Sequence, residues 1–420
     1  MRVSRSLLLL GAAMTALGLP AVAQEAGGKR MRLDLSQGLR VTTNPDLDPG
    51  ADETETVATT DLGFTISTET RRASLAMTLG AQLVGELGDD SGGLEFDRPS
   101  ARLDYGYRGP AAELGAFASI NRQNIEYLRA LELIELQDGS FEVPEDLDDL
   151  EGSGYRVSSR VGVNGDFGRD DLFGWGFDLR GSDLSYEDVT TDQLEDSRRY
   201  NARLYSHMDL TRTLRLTGRL RYVLSDKEGA SATDTTEYGL GLTALRPTGE
   251  YRATVSFTTP DRAEDRVTVT AGVTQELGRT GEISLDLGAS SIHDDGTELV
   301  ATLAFEMQPT RTSRVTAYLD REVGQDNDGE TILSTTARAG WQMTYDPLTQ
   351  FGLFATYADT EYLGEGDDTS QLGLTASMDR QLTRDWQLSV GAGRTLRDDS
   401  DLAASNSVFL TMSRDWDGRF

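Results

Sequence analysis

Side chains able to act as acids, bases or nucleophiles are few in this sequence. It has no cysteine and two histidines. His207 stands two residues before Asp209, and His293 directly precedes Asp294 and Asp295. Either pair could supply an Asp–His general base. Neither comes with a serine motif, which a hydrolase would need for its nucleophile. Carboxylates gather in short groups: Asp89-Asp90, Asp148-Asp149, Asp294-Asp295-Gly296, Asp326-Asn327-Asp328-Gly329-Glu330, Asp367-Asp368 and Asp398-Asp399. Such oxygens can take Ca²⁺ or Mg²⁺. None has the spacing of the twelve-residue calcium loop, and Asp-Gly also makes tight turns. Two further series of charges stand out. Arg199, Arg203, Arg215, Arg219 and Arg221, with Arg252 and Arg266, are guanidiniums; Glu282, Asp286, Glu298, Glu306, Asp320 and Glu322 are carboxylates. Within each segment their spacing is even, which puts them on one face only if the backbone is extended.

The backbone pattern supplies that condition. Apolar residues recur at every second position: Met31, Leu33, Leu35, Leu39, Val41; Ala73, Leu75, Met77, Leu79, Ala81, Leu83; Leu299, Ala301, Leu303, Phe305, Met307. A helix would space them by three and four. About twenty such segments are predicted as strands, near 30–42, 55–68, 73–87, 100–108, 112–123, 154–164, 172–187, 198–209, 214–225, 235–245, 250–259, 265–276, 281–292, 298–308, 313–324, 331–344, 350–361, 370–381, 385–396 and 405–416. Their connections alternate between tight turns rich in Arg and Thr, such as Glu69-Thr70-Arg71-Arg72 and Pro309-Thr310-Arg311-Thr312, and longer acidic loops such as 43–54, 88–98 and 124–153. Every proline after Pro20 reads as lying in a connection or, at Pro99, at a strand start, because proline cannot donate to a ladder. Aromatic residues such as Tyr105, Trp175, Tyr200, Tyr345 and Trp386 collect near the predicted strand ends.

The N-terminus reads as an export signal. Arg2 and Arg5 precede an apolar run over residues 7–19, and Pro20-Ala21-Val22-Ala23 fits cleavage before Gln24. A signal peptide over 1–23 and a single domain over 24–420 are expected. Beyond it no stretch reaches the ~18 apolar residues of a membrane helix. A hydrophobic content of 37% and a mean hydropathy of −0.42 suit a secreted soluble protein. They suit a transmembrane barrel as well, since only alternate residues need face lipid. Without cysteine there is neither a lipid anchor at the cleavage site nor a disulfide. The formal charge of −30 argues against nucleic acid as a partner. Nothing indicates a cofactor.

The end of the chain narrows the class. Val408, Leu410, Met412, Trp416 and Phe420 share one parity, with Arg414 and Gly418 departing from it. This resembles the C-terminal signature of Gram-negative outer-membrane β-barrel proteins, and the whole chain is most similar to porin-like barrels, including the larger porin-like group associated with polysaccharide export. The resemblance implies an all-β fold: a closed antiparallel transmembrane β-barrel of about 20 strands (18–20), with short periplasmic turns and longer acidic extracellular loops. It implies an outer-membrane location in a Gram-negative bacterium, with Trp416 and Phe420 as the assembly signal read by the barrel-assembly machinery. It implies contact with outer-membrane lipids and lipopolysaccharide, whose divalent cations would meet the acidic loops. A homo-oligomer stays open.

On that reading the polar parity faces a lumen. The guanidiniums then form a basic pore-lining wall and the carboxylates an acidic one, resembling the transverse field of porin constrictions. The expected function is passive diffusion of small hydrophilic solutes or ions, with no enzymatic activity. Residues 125–136, within the third outward loop, are predicted as a short helix, and in porins that loop folds inward. The alternatives are an export-linked or structural, adhesive barrel handling surface polysaccharide, and a barrel hydrolase using a histidine. An iron-complex transporter fits less well, because such barrels have about twenty-two strands and a plugged lumen.

Overall fold

The computed structural model describes residues 28–45, 47, 49–87, 94–125, 134–135, 141–142, 154–190, 194–293, 296–325, 330–364, 368–398 and 401–419. Twenty long strands make one sheet. They are β1 (Lys29–Thr43), β2 (Thr54–Glu69), β3 (Ala73–Glu86), β4 (Leu94–Arg108), β5 (Ala112–Asn124), β8 (Tyr155–Phe167), β9 (Phe173–Glu187), β10 (Ser197–Thr211), β11 (Leu214–Lys227) and β12 (Thr233–Arg246). They continue as β13 (Gly249–Pro260), β14 (Arg266–Glu276), β15 (Gly281–Ile292), β16 (Gly296–Thr310), β17 (Ser313–Gln325), β18 (Thr331–Asp346), β19 (Thr349–Tyr362), β20 (Thr369–Gln381), β21 (Trp386–Asp398) and β22 (Leu402–Arg419). The two-residue strands β6 (Ile134–Glu135) and β7 (Phe141–Glu142) pair with each other between β5 and β8.

Each long strand is antiparallel to the next along the chain. β1 also pairs with β22, from Arg30↔Arg419 to Thr43↔Asn406, so the sheet closes on itself. All twenty expected strands are present, and no α-helix occurs among the described residues. Lengths run from 11 residues in β14 to 18 in β22, enough for the ~9–11 that a tilted strand needs to cross a bilayer.

Closure gives the alternation its meaning, because one face of the sheet must point outward and the other inward. The outward parity carries large exposed apolar side chains, among them Leu179, Leu204, Leu240, Val255, Val269 and Leu299. An apolar exterior of this extent is stable only against hydrocarbon. Aromatic rings border it at both ends. Towards the short turns, Phe167 stacks on Trp175 at 4.6 Å, and Tyr345 meets Phe351 edge-on at 6.3 Å. Towards the loops, Phe96, Tyr200, Tyr238 and Phe257 stand exposed. The charged departure at Arg414 is explained by its surroundings. Its guanidinium lies 5.5 Å from the Trp386 ring centroid and 4.6 Å from that of Trp416, with Asp385 at 3.6 Å. Cation–π contacts at the rim hold a cation that hydrocarbon would reject.

Three prolines depart from the sequence reading. Pro99 lies inside β4, Pro309 inside β16, and Pro260 ends β13. The ladder tolerates the first two because its register shifts there, between Gly80 and Gln82 opposite Pro99 and between Met307 and Thr310 around Pro309. The helix predicted over residues 125–136 is also corrected where it is described, since Ile134–Glu135 is extended. The rest of it, the inward folding of that loop, the signal peptide and Phe420 lie outside the described residues.

Inward-facing glycines let large side chains lie flat on the wall. A β-carbon on Gly391 would fall into the Phe409 ring and within 2.6 Å of the Ala376 carbonyl oxygen. Gly391→Val is therefore expected to destabilise the barrel by about 1–3 kcal/mol, as overpacking does. The check is the fraction of folded, heat-modifiable protein on refolding into detergent. A yield equal to wild type would show that the ring moves aside freely.

Candidate permeation path

All thirteen charged residues expected on the polar parity occupy inward-facing register positions. Strand pairing brings them together in a way the sequence does not display. Arg203 faces Arg221 across β10 and β11, and Arg221 faces Glu237 across β11 and β12. Arg219 is ion-paired with Glu237. Arg203 lies in the field of Arg221, Arg219 and Arg180, with Asp178 as the counter-charge. Asp178 itself pairs with Arg180 at 2.8 Å. Among the described residues, the Nε atoms of Arg203 and Arg221 are enclosed and meet no acceptor. Near the turns, Arg215 binds Asp209 at 2.6 Å, and Glu306, register partner of Glu282, binds Arg314 at 2.8 Å. Arg199 and Glu298 lie towards the loop ends of β10 and β16, opposite Ser182 and Ser290.

The guanidinium and carboxylate series are not segregated. They meet at Arg252 and Asp286. Both belong to one ladder row, separated by Gly272. A β-carbon on Gly272 would occupy the space in which the carboxylate lies. Across this gap Arg252 Nε donates to Asp286 Oδ1 at 2.6 Å, and Nη2 donates to the other oxygen. The same guanidinium donates to Thr274 and Ser284, each at 2.6 Å, and to Glu250 at 3.1 Å.

A second feature lies above this row. β16 and β17 pair from the turn only as far as Ala301↔Arg321. Beyond that point β16 continues with β15, and β17 continues with β18. Val323 and Leu333, on the outward parity of β17 and β18, are buried against Ile292 and Val300, on the inward parity of β15 and β16. The end of the β17–β18 hairpin has therefore left the wall and lies on its inner side. It reaches further: Arg266 Nη1 donates to the Gly324 carbonyl at 3.4 Å, and Thr235 Oγ1 to Gln325 Oε1 at 2.9 Å. Ser256, Thr258 and Ser290, inward-facing hydroxyls of β13 and β15, are buried. This hairpin sets Glu322 among Asp320, Arg221, Arg266 and Glu237. Arg321, on the outward parity, bonds Thr335 at 2.8 Å and lies 3.5 Å from Glu361.

The opposite arc of the wall, β19 to β22 and β1 to β4, carries mostly glycine and hydroxylated side chains on its loop side and charged ones below, with Arg32 paired to Asp34 and Arg102 to Asp104, each at 2.7 Å. Cavities of ≈ 540, 570 and 280 Å³ follow one another along it. The first, on the loop side, and the second, below it, share Asp61, Gln82 and Arg98. The third reaches Arg30 and Glu69 beside the turn. Gln82 donates to Asp61 at 2.6 Å. Arg98 reaches the lumen through the bulge that contains Pro99, with φ at 51°. Bulges re-aim side chains in this way. Its neighbour Asp97 is fully buried, accepts from the Asn124 amide at 2.8 Å, and lies 3.8 Å from the guanidinium. With its amide oxygen turned towards Arg98, Gln123 accepts from Nε at 3.1 Å and from Nη2 at 2.6 Å.

The sequence reading missed these groups for two different reasons. Asp178, Arg180, Glu237 and Asp61 lie on the polar parity and were findable by it. Arg98 was not, because parity fails at a bulge. The two histidines stay apart from this path. Asp209, expected beside His207, is engaged by Arg215. His293 lies at an exposed rim, 3.7 Å from Glu264. Among the described residues, no group of three His, Asp or Glu side chains converges on a metal-sized site.

No family model and no characterised protein matches the sequence. Solved structures match the fold. A variant of the ferric enterobactin receptor from Pseudomonas aeruginosa aligns at a TM-score of 0.51 with 8% identity, over 94% of this chain and 81% of that one. OccAB4 from Acinetobacter baumannii aligns at 0.41 with 10% identity, over 95% and 100%. OccK7 from Pseudomonas aeruginosa aligns at 0.42 with 11% identity, over 94% and 100%. At such identities the likeness is one of fold: a Gram-negative outer-membrane barrel.

Proposed function

We propose that this chain is an outer-membrane channel for passive diffusion of small hydrophilic solutes or ions, gated sterically by the β17–β18 hairpin on one side and open along the β19–β4 arc on the other. The observation that supports this reading is the run of cavities down that arc, the upper two of which are joined at Asp61, Gln82 and Arg98. A lumen filled only for rigidity would need no bulge that delivers a guanidinium to the interior. The paired charges of β10 to β17 then act as a fixed transverse field, and Arg98 and Arg40 are guanidiniums that a passing solute meets.

Planar-bilayer recording of the purified, refolded protein tests the reading. Discrete conductance steps in potassium chloride are expected. Their absence at every voltage would sink it, leaving a barrel whose working surface is its loops. Arg98→Glu is expected to move the reversal potential in a salt gradient towards cation selectivity. The same reversal at Arg219, already paired with Glu237, should move it less. An unchanged reversal potential in the Arg98 variant would place the narrow section elsewhere.

A further inference from the structure

We infer that the loop-side cavity is a binding subsite for small hydroxylated monocarboxylates, the sugar-acid class. The inference rests on the channel reading and names the solute that its lumen retains.

Three features of the cavity carry it. Its volume of ≈ 540 Å³ falls in the ~300–1,000 Å³ range of small-molecule sites. Among the described residues three arginines border it, Arg40, Arg98 and Arg394; Arg394 is the register partner of Leu374 on the outward parity of β21, so two guanidiniums face the interior. The Arg98 guanidinium is fixed by the bulge, by Asp97 and by Gln123, and that of Arg40 lies over the Phe409 ring at 5.6 Å. Guanidinium held in this way favours the planar, two-oxygen geometry of a carboxylate. The remaining polar lining is dominated by hydroxyls, including Thr59, Thr375, Thr395, Ser407 and Thr411. Glycines keep the space between them: a β-carbon on Gly38 would approach Thr59 Oγ1 to 2.7 Å, and one on Gly393 would approach Ser407 Oγ to 2.9 Å.

The balance of charge selects the anion. Asp61 lines the same cavity, and Asp97 stands directly behind Arg98. Among the described residues, two carboxylates thus offset the two inward-facing guanidiniums. A dianion such as phosphate would meet repulsion that a monocarboxylate largely escapes. Asp61, which accepts one bond from Gln82, is also a strong acceptor for the hydroxyls of a polyol. An acid without hydroxyls would forgo the Thr and Ser donors, and a neutral polyol would forgo the guanidiniums.

The test uses the refolded full-length barrel in planar bilayers, with gluconate, glucose, acetate and inorganic phosphate as probes. Gluconate is expected to lower potassium chloride conductance saturably, at concentrations at least about tenfold below those needed of the other three, the scale of one charge-assisted hydrogen bond. Arg98→Gln and Arg40→Gln should each raise its half-blocking concentration about tenfold or more, with heat-modifiable mobility confirming folding. Acetate or phosphate equal to gluconate, or block unchanged in both variants, would overturn the subsite while leaving the channel standing. If no variant conducts, the channel reading has failed. Calorimetric titration of the detergent-purified protein with gluconate then decides the subsite: binding that Arg98→Gln removes supports it, and no binding overturns it.

Discussion

Replacing residues 322–334 by a short Gly-Ser turn between Arg321 and Thr335 is expected to raise single-channel conductance several-fold. The two anchor residues are register partners in β17 and β18, so the new turn joins strands that already face each other. What is removed is the section that left the wall. It packs Val323 and Leu333 on Ile292 and Val300, reaches Arg266 through the Gly324 carbonyl, and places Glu322 in the field of Arg221 and Arg266. Removal should therefore widen the lumen and lower discrimination together. Heat-modifiable migration shows whether the shortened barrel folds. An intact barrel with wild-type conductance would show that the hairpin lies outside the conducting section. Cross-linking Thr235→Cys to Gln325→Cys adds a kinetic reading in a chain that has no other cysteine. If the hairpin swings, oxidation removes the high-conductance excursions and reduction restores them.

The inward hairpin shows where sequence reading ends. Strand number and the inward parity of the thirteen charged residues follow from period two, because alternation is a property of each strand alone, whereas closure is implied by the resemblance of the last strand. Departure of a hairpin from the wall is a property of three strands at once. Its trace in the sequence is small: Ile292 and Val300 are apolar residues on a parity that is otherwise polar, and they signal that something apolar covers them. Analogy pointed to the third outward loop, whereas the described inward element comes from β17 and β18. The bulge at Arg98 was hidden more completely, since one inserted residue moves every side chain beyond it to the other face. Parity assigns faces and says nothing about partners two strands away, which is why Arg252 and Asp286 read as opposite walls and stand as one ion pair.

That pair carries the second large effect. Arg252→Met is expected to lower unfolding free energy by about 2–3 kcal/mol, below the ~3–5 of a fully buried pair because the side chain keeps 22% exposure. The loss has a specific origin. Asp286 gives up two guanidinium bonds, Glu250 one, and the hydroxyls of Thr274 and Ser284 lose a shared donor. Most of the cost is thus carboxylate left without a cation, so removing it should recover stability. Arg252→Met with Asp286→Leu should lie within about 1 kcal/mol of wild type, since replacing both partners costs far less than orphaning one. Gly272→Ala should resemble the arginine variant, because its β-carbon takes the space across which the pair meets. Urea unfolding in lipid vesicles measures all three. A double variant as unstable as Arg252→Met would show that the residues act independently and that the bridge over Gly272 contributes nothing. Conductance supplies a separate consequence: with Arg252 gone, Asp286 is an uncompensated lumenal anion, and cation selectivity should rise in the single variant but not in the double.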